Sequence, residues 1–156
     1  DRLESKPAID SALASGKLVL ADRYVASNLA HQGARVPSEK RAEFLAWLKQ
    51  LEYQVYALPT EDLTIFLRLP VAEAHRLVGQ KGTRDYTKSR RDLQEADLAH
   101  LEAAARVYDQ LARQTNWITI ECFDADSRSL REPAAIHAEI VAAVESRIQA
   151  GIQARG

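Results

Sequence analysis

Residues 17–24 read Lys17-Leu18-Val19-Leu20-Ala21-Asp22-Arg23-Tyr24, a short uninterrupted apolar run that stops on an acid, a base and an aromatic. Such a run, bounded by turn signals, has the pattern of a parallel strand covered on both faces, where no alternation is needed. Immediately upstream, Lys6 to Ser15 puts Ile9, Ala12 and Leu13 on one helical face, and Gly16 supplies the stop. Pro7 is tolerable near a helix start and would kink a longer one.

Downstream the alternation continues. A polar stretch covers Val25 to Pro37, and a helix is expected from about Ser38 to Tyr56, with Phe44, Leu48, Leu51 and Val55 in line, Ser38 as cap and Pro59 as terminator. Leu63 to Leu69 predicts a second strand, and Pro70 to Val78 a short helix with Gly79 just past its end. Gln80 to Ser89 is polar and basic. A long helix follows from about Arg90 to Gln114, with Leu101, Ala104, Ala105, Tyr108, Leu111 and Ala112 as its buried stripe. Trp117 to Cys122 predicts a third strand. Pro133 to Gln149 predicts a closing helix carrying Ile136, Ile140, Val144 and Ile148. This order is that of an α/β domain whose parallel sheet is flanked by helices, with ligands expected beyond Ala21, Leu69 and Cys122 at the strands' carboxyl ends.

The 156 residues carry 21 Lys plus Arg against 22 Asp plus Glu, a formal charge of −1, and no low-complexity tract. That length suits one domain with its own core. The balance argues against a generic nucleic-acid binder, and no run of about 20 apolar residues offers a membrane span. A single cysteine, Cys122, forms no internal disulfide and reads as a small core residue. With no charged-then-apolar leader at Asp1-Arg2, a reducing, cytoplasmic setting is expected.

Two places concentrate chemistry. An Asp ending a buried strand can hold a metal-bound water, and Arg23 beside Asp22 offers a planar fork for phosphate or carboxylate. The plainer alternative is that Asp22 caps a turn and Arg23 is solvated. The second place is Arg76 to Arg91, with Arg76, Lys81, Arg84, Lys88, Arg90 and Arg91 against Asp85 alone. It reads either as a solvated loop or as a basic lid, about residues 79–91, that closes over polyphosphate on hinges at Gly79 and Gly82. His31, His75, His100 and His137 have no metal-ligand spacing.

The segment Asp22-Arg23-Tyr24-Val25-Ala26-Ser27-Asn28-Leu29-Ala30-His31-Gln32-Gly33-Ala34 resembles the one following the third strand of thymidylate kinases, which phosphorylate dTMP to dTDP with MgATP. The likeness extends over nearly the whole chain. Asp1-Arg2-Leu3-Glu4 with Pro7, Ile9, Leu13 and Gly16 is similar to the helix leading into that strand. Leu58-Pro59-Thr60-Glu61-Asp62-Leu63-Thr64 is similar to the approach to the next strand, and Arg91-Asp92-Leu93-Gln94-Glu95-Ala96-Asp97 to the helix after the lid.

The resemblance implies a P-loop NTPase fold of the nucleoside monophosphate kinase type, Mg²⁺ as cofactor, and ATP and dTMP as partners. It implies that Arg23 binds the acceptor's 5′-phosphate, and that Asp22 organises magnesium through its waters. Arg2, Ser27, Asn28, His31 and Gln32 would line base, sugar and phosphate, with His31 where the family usually has Tyr or Phe. Arg84, with Arg90 and Arg91, would meet the transferred phosphoryl group, and Tyr86 would touch the acceptor. Homodimers are common in the family, and the helix from Ser38 is a candidate interface.

The family's opening strand and Gly-x-x-x-x-Gly-Lys-[Ser/Thr] loop are not found in these residues; Ser15-Gly16-Lys17 lacks the preceding glycine. Two explanations compete. Either the chain, opening on Asp1, is an amino-terminally truncated kinase, or it is a homologue that keeps an acceptor pocket without catalysis. A related kinase acting on another deoxynucleoside or its monophosphate is a further alternative. The expectations are little or no turnover by this chain alone, and a gap in the sheet between the run ending at Ala21 and the strand ending at Leu69.

Overall fold

The computed structural model describes residues 2–80 and 89–153, with side chains over 3–77 and 98–151. The helices are α1 (Arg2–Ala14), α2 (Val25–Gly33), α3 (Ser38–Gln50), α4 (Val71–Gln80), α5 (Ser89–Leu111) and α6 (Pro133–Gln153). The strands are β1 (Thr64–Arg68), β2 (Trp117–Glu121), β3 (Phe123–Asp124) and β4 (Ser129–Leu130). β1 and β2 pair in parallel from Thr64↔Trp117 to Arg68↔Glu121, and α4 and α5 form the crossover between them. β3 and β4 make a small antiparallel hairpin, a feature the residue pattern did not suggest.

The run at 17–21 forms no ladder with any described strand. Leu18 is 71% and Leu20 89% exposed, so the expected buried strand is corrected to an extended, open segment. A strand exists only where a neighbour takes its backbone N–H and C=O groups, and apolar composition cannot supply that neighbour. The gap expected between this run and β1 has no counterpart, because only one of the two expected strands forms among the described residues. Gly16 does end α1: at φ 74° it lets its own N–H reach the Leu13 carbonyl (2.9 Å) and that of Lys17 reach Ala12 (3.0 Å).

The core lies between α2, α3 and α5. Val25, Leu29 and Ala30 meet Leu45 and Leu48 on one side and Val107 and Leu111 on the other, with Leu58 closing the group. Residues 25–33, read as merely polar, are therefore a helix whose apolar positions share one face. Phe66 of β1 stacks on Tyr108 at 5.1 Å, joining the sheet to α5.

α3 begins after Pro37 as cap, not Ser38, whose hydroxyl instead meets Glu39. It widens at its end into a π-helical turn over Leu51–Val55, closed by the Tyr56 N–H to Leu51 carbonyl bond of 2.9 Å. That wider turn throws the stripe out of register: Val55, expected in it, is 67% exposed, while Glu52, four residues after Leu48, is 1% exposed.

Candidate functional site

The turn entering α2 holds Arg23 at φ 66°, in the left-handed region that disfavours residues with a Cβ. Its guanidinium Nε donates to Ser27 Oγ at 2.8 Å, one helical turn on. Tyr24 Oη donates to the Pro59 carbonyl at 3.2 Å, tying this turn to the segment leading into β1. The opposite end of α2 is held by Arg41, which donates to the carbonyls of Gly33 (2.9 Å) and Val36 (3.0 Å).

Ser27 and His31 lie four residues apart on one face of α2, with Arg23 just before the helix and Arg35 just after it. His31 Nδ1 lies 3.2 Å from His100 Nε2 on α5, and the His31 ring stands edge-on to Tyr108. Burial, then the charges of Arg23, His100 and Arg35, hold the His31 pKa below the ordinary histidine value. On the neighbouring face Asn28 Nδ2 donates to Glu52 Oε1 at 2.6 Å, and Gln32 is exposed.

Asp22 is exposed beside Arg23. Since residues 17–21 join no sheet, Asp22 does not end a strand, and the carboxyl-end rule gives it no position. At the carboxyl ends of β1 and β2 stand Arg68 and Glu121 instead, paired at 3.1 Å, with Asp109 of α5 also 3.4 Å from Arg68. Cys122, just beyond β2, is half-buried, and burial raises its thiol pKa.

The expected lid over 79–91, with Arg84 and Tyr86, falls almost wholly outside the described residues. Arg90 and Arg91 lie in the first turn of α5 and Arg2 opens α1, but their side chains are outside the described set. Among the described residues no cluster of three or more His, Cys, Asp or Glu is placed to hold a metal. No described helix is long and apolar enough to cross a membrane.

A cavity of about 290 Å³ opens at the amino ends of β1 and β2, lined by Ala26, Lys49, Tyr53, Glu61, Asn116 and Trp117 among others. Its polar groups engage one another. Tyr53 Oη donates to Glu61 at 2.7 Å, Lys49 Nζ to Gln114 Oε1 at 2.9 Å, and Asn116 Nδ2 to the Glu61 carbonyl at 3.1 Å. Burial, then Glu61, pushes the Tyr53 pKa upward and keeps the phenol a donor. This network reads as structural.

The family model for thymidylate kinase matches residues 1–128. The chain belongs to the thymidylate kinase family. It is 32% identical to the human thymidylate kinase over 142 residues, covering 86% of this chain and 58% of that protein. The Mycobacterium tuberculosis thymidylate kinase is 29% identical over 114 residues, 73% of this chain and 53% of its own length. A probable thymidylate kinase of Pyrococcus abyssi is 42% identical over 83 residues, 53% of this chain and 36% of its own. The chain thus spans about half the length of the mycobacterial and human relatives. Thymidylate kinases have the P-loop NTPase fold, and an α/β chain with a small parallel sheet agrees with that membership.

Two residues escaped the reading of the sequence, Glu52 and His100. Leu45, Leu48 and Glu52, at intervals of three and four, are a core face carrying a carboxylate, a signal that could have been found. His100 gave no comparable signal, because it meets His31 only through the packing of α5 on α2.

Proposed function

We propose that this chain carries the acceptor side of a dTMP kinase, the phosphate of dTMP bound by Arg23 and its base and sugar lined by Ser27, Asn28, His31 and Gln32. The observation that supports it most is the Arg23–Ser27 bond at 2.8 Å, built on a left-handed backbone at the start of α2. Pinning Nε to Ser27 fixes the plane of the guanidinium, and the Nη edge then offers parallel donors to a phosphate. The adjoining helix N-terminus favours the same charge.

Arg2, Arg84, Tyr86, Arg90 and Arg91 keep their proposed roles in the acceptor pocket and lid by family resemblance. Asp22, a lone exposed carboxylate, fits magnesium held through water, since that ion keeps several waters and takes only one or two carboxylates beside substrate phosphates. Bound there, the ion would neutralise phosphate charge. ATP does not fit these residues in the same way, because no Gly-x-x-x-x-Gly-Lys-[Ser/Thr] segment occurs in them to cradle its phosphates.

Phosphoryl transfer needs positioning and positive charge rather than covalent chemistry from the protein, and Arg23 supplies part of both. A homodimer through α3 is proposed too, supported by the exposure of Trp47 (54%) and Val55 (67%) on that helix and its π-turn. The setting proposed is the cytoplasm.

Titration calorimetry with dTMP and with thymidine tests the reading. The expected result is binding of dTMP at least about tenfold tighter than thymidine, the worth of a charge-assisted phosphate contact. Equal binding of the two, or none of either, would overturn it.

A further inference from the structure

The most buried carboxylate among the described residues belongs to Glu52, and its Oε1 receives the side-chain amide of Asn28 from a helix 24 residues earlier. A carboxylate in a core is costly unless bonded, so its retention asks for a reason beyond packing. Four residues past Leu48, Glu52 continues the inward face of α3, and the π-helical turn over Leu51–Val55 in which it lies turns Val55 outward. Turns of this kind concentrate at functional sites.

We infer that Glu52 is a positioning residue that fixes which way the Asn28 amide faces, and thereby which base edge the acceptor pocket accepts. An amide can rotate by half a turn and exchange its donor for its acceptor. A carboxylate oxygen only accepts, so Nδ2 must face Glu52, and Oδ1 faces away from it. What the amide then presents is a fixed acceptor. Such an acceptor pairs with a pyrimidine edge bearing a ring N–H, as in thymine, and repels the bare ring nitrogen of cytosine. An unfixed amide would flip and serve either.

This inference rests on the proposal that α2 meets the base, and one set of titrations separates the two. dTMP and dCMP are titrated into the wild-type chain and into E52L, E52Q and R23A. Wild type is expected to prefer dTMP by about tenfold or more. In E52L the preference collapses towards equality, dTMP weakening and dCMP not. E52Q, whose amide can turn either its carbonyl or its NH₂ to Asn28, lowers the preference as well, while keeping the size and polarity of the side chain. R23A weakens both nucleotides and leaves their ratio unchanged.

A merely structural Glu52 would make E52L lose both nucleotides in equal proportion, and that outcome overturns the inference while the acceptor reading stands. Failure of wild type to bind either nucleotide overturns both. If E52L does not fold, the nearly isosteric E52Q decides by the same ratio: a lowered preference for dTMP supports the inference, and an unchanged ratio overturns it.

Discussion

His31 Nδ1 and His100 Nε2 face each other along the line joining their rings, because the 3.2 Å between the nitrogens and the 5.5 Å between the ring centres differ by only two ring radii. Nitrogens aimed head-on share a proton. They leave no room for a metal between them, which needs roughly 2.0–2.1 Å to each. The bond clasps α2 to α5, and the charges of Arg23 and Arg35 bear on it.

Acidification should loosen this clasp. The folded pKa of His31 lies below its unfolded value of about 6.5, so the unfolded chain binds the extra proton first. The His31 contribution to stability is therefore intact above about pH 6.5 and is lost progressively as pH falls below it. Melting temperature measured from pH 7.5 to 5 should fall, and H31F should fall less steeply. An identical slope in H31F would remove His31 as the cause.

Gly33 is fixed by packing. A Cβ there would meet Leu45 Cδ2 at 3.0 Å and Val107 Cγ1 at 3.4 Å, both in the core where α3 and α5 close on α2. Alanine gains helix propensity but must displace a buried leucine methyl, so G33A should cost about 1–2 kcal/mol. Urea denaturation checks this, and unchanged stability would show that Leu45 moves aside freely.

The segment at 17–21 gives the opposite expectation. With Leu18 and Leu20 mostly exposed, the pair L18S/L20S should change stability by no more than about 0.5 kcal/mol per site. A loss of several kcal/mol on denaturation would mean that these leucines are buried in solution.

These cases show why the sequence was legible in some places and not in others. Strands 64–68 and 117–121 and the long helix 89–111 announce themselves by apolar period, and Gly16 by its place after Ala14. The apolar run at 17–21 looks more like a strand than either, yet pairing is a property of two segments and composition describes only one. Helix 25–33 was hidden because Ser27, Asn28, His31 and Gln32 give it a polar look, although Val25, Leu29, Ala30 and Gly33 fall on one side. The segment from Asp22 to Ala34 that contains them carried the resemblance, so candidate site residues could be named where the fold around them could not. Val55 was misplaced because the π-turn departs from the 3.6 period, whereas Glu52 lies on the regular Leu45–Leu48 face and was passed over because it carries a charge.

Arg23 should tolerate no substitute. R23K keeps the charge but loses the planar fork and the Nε bond to Ser27, so it should recover little of what R23A loses. Near-complete rescue by lysine would mean that charge alone is read.

The most direct measurement of the central claim is calorimetric binding of dTMP to the wild-type chain and to R23A under one buffer and salt condition. A phosphate-binding Arg23 predicts that R23A binds dTMP about 10- to 100-fold more weakly, with its melting temperature little changed because the side chain is exposed. Equal affinity of the two for dTMP would contradict it.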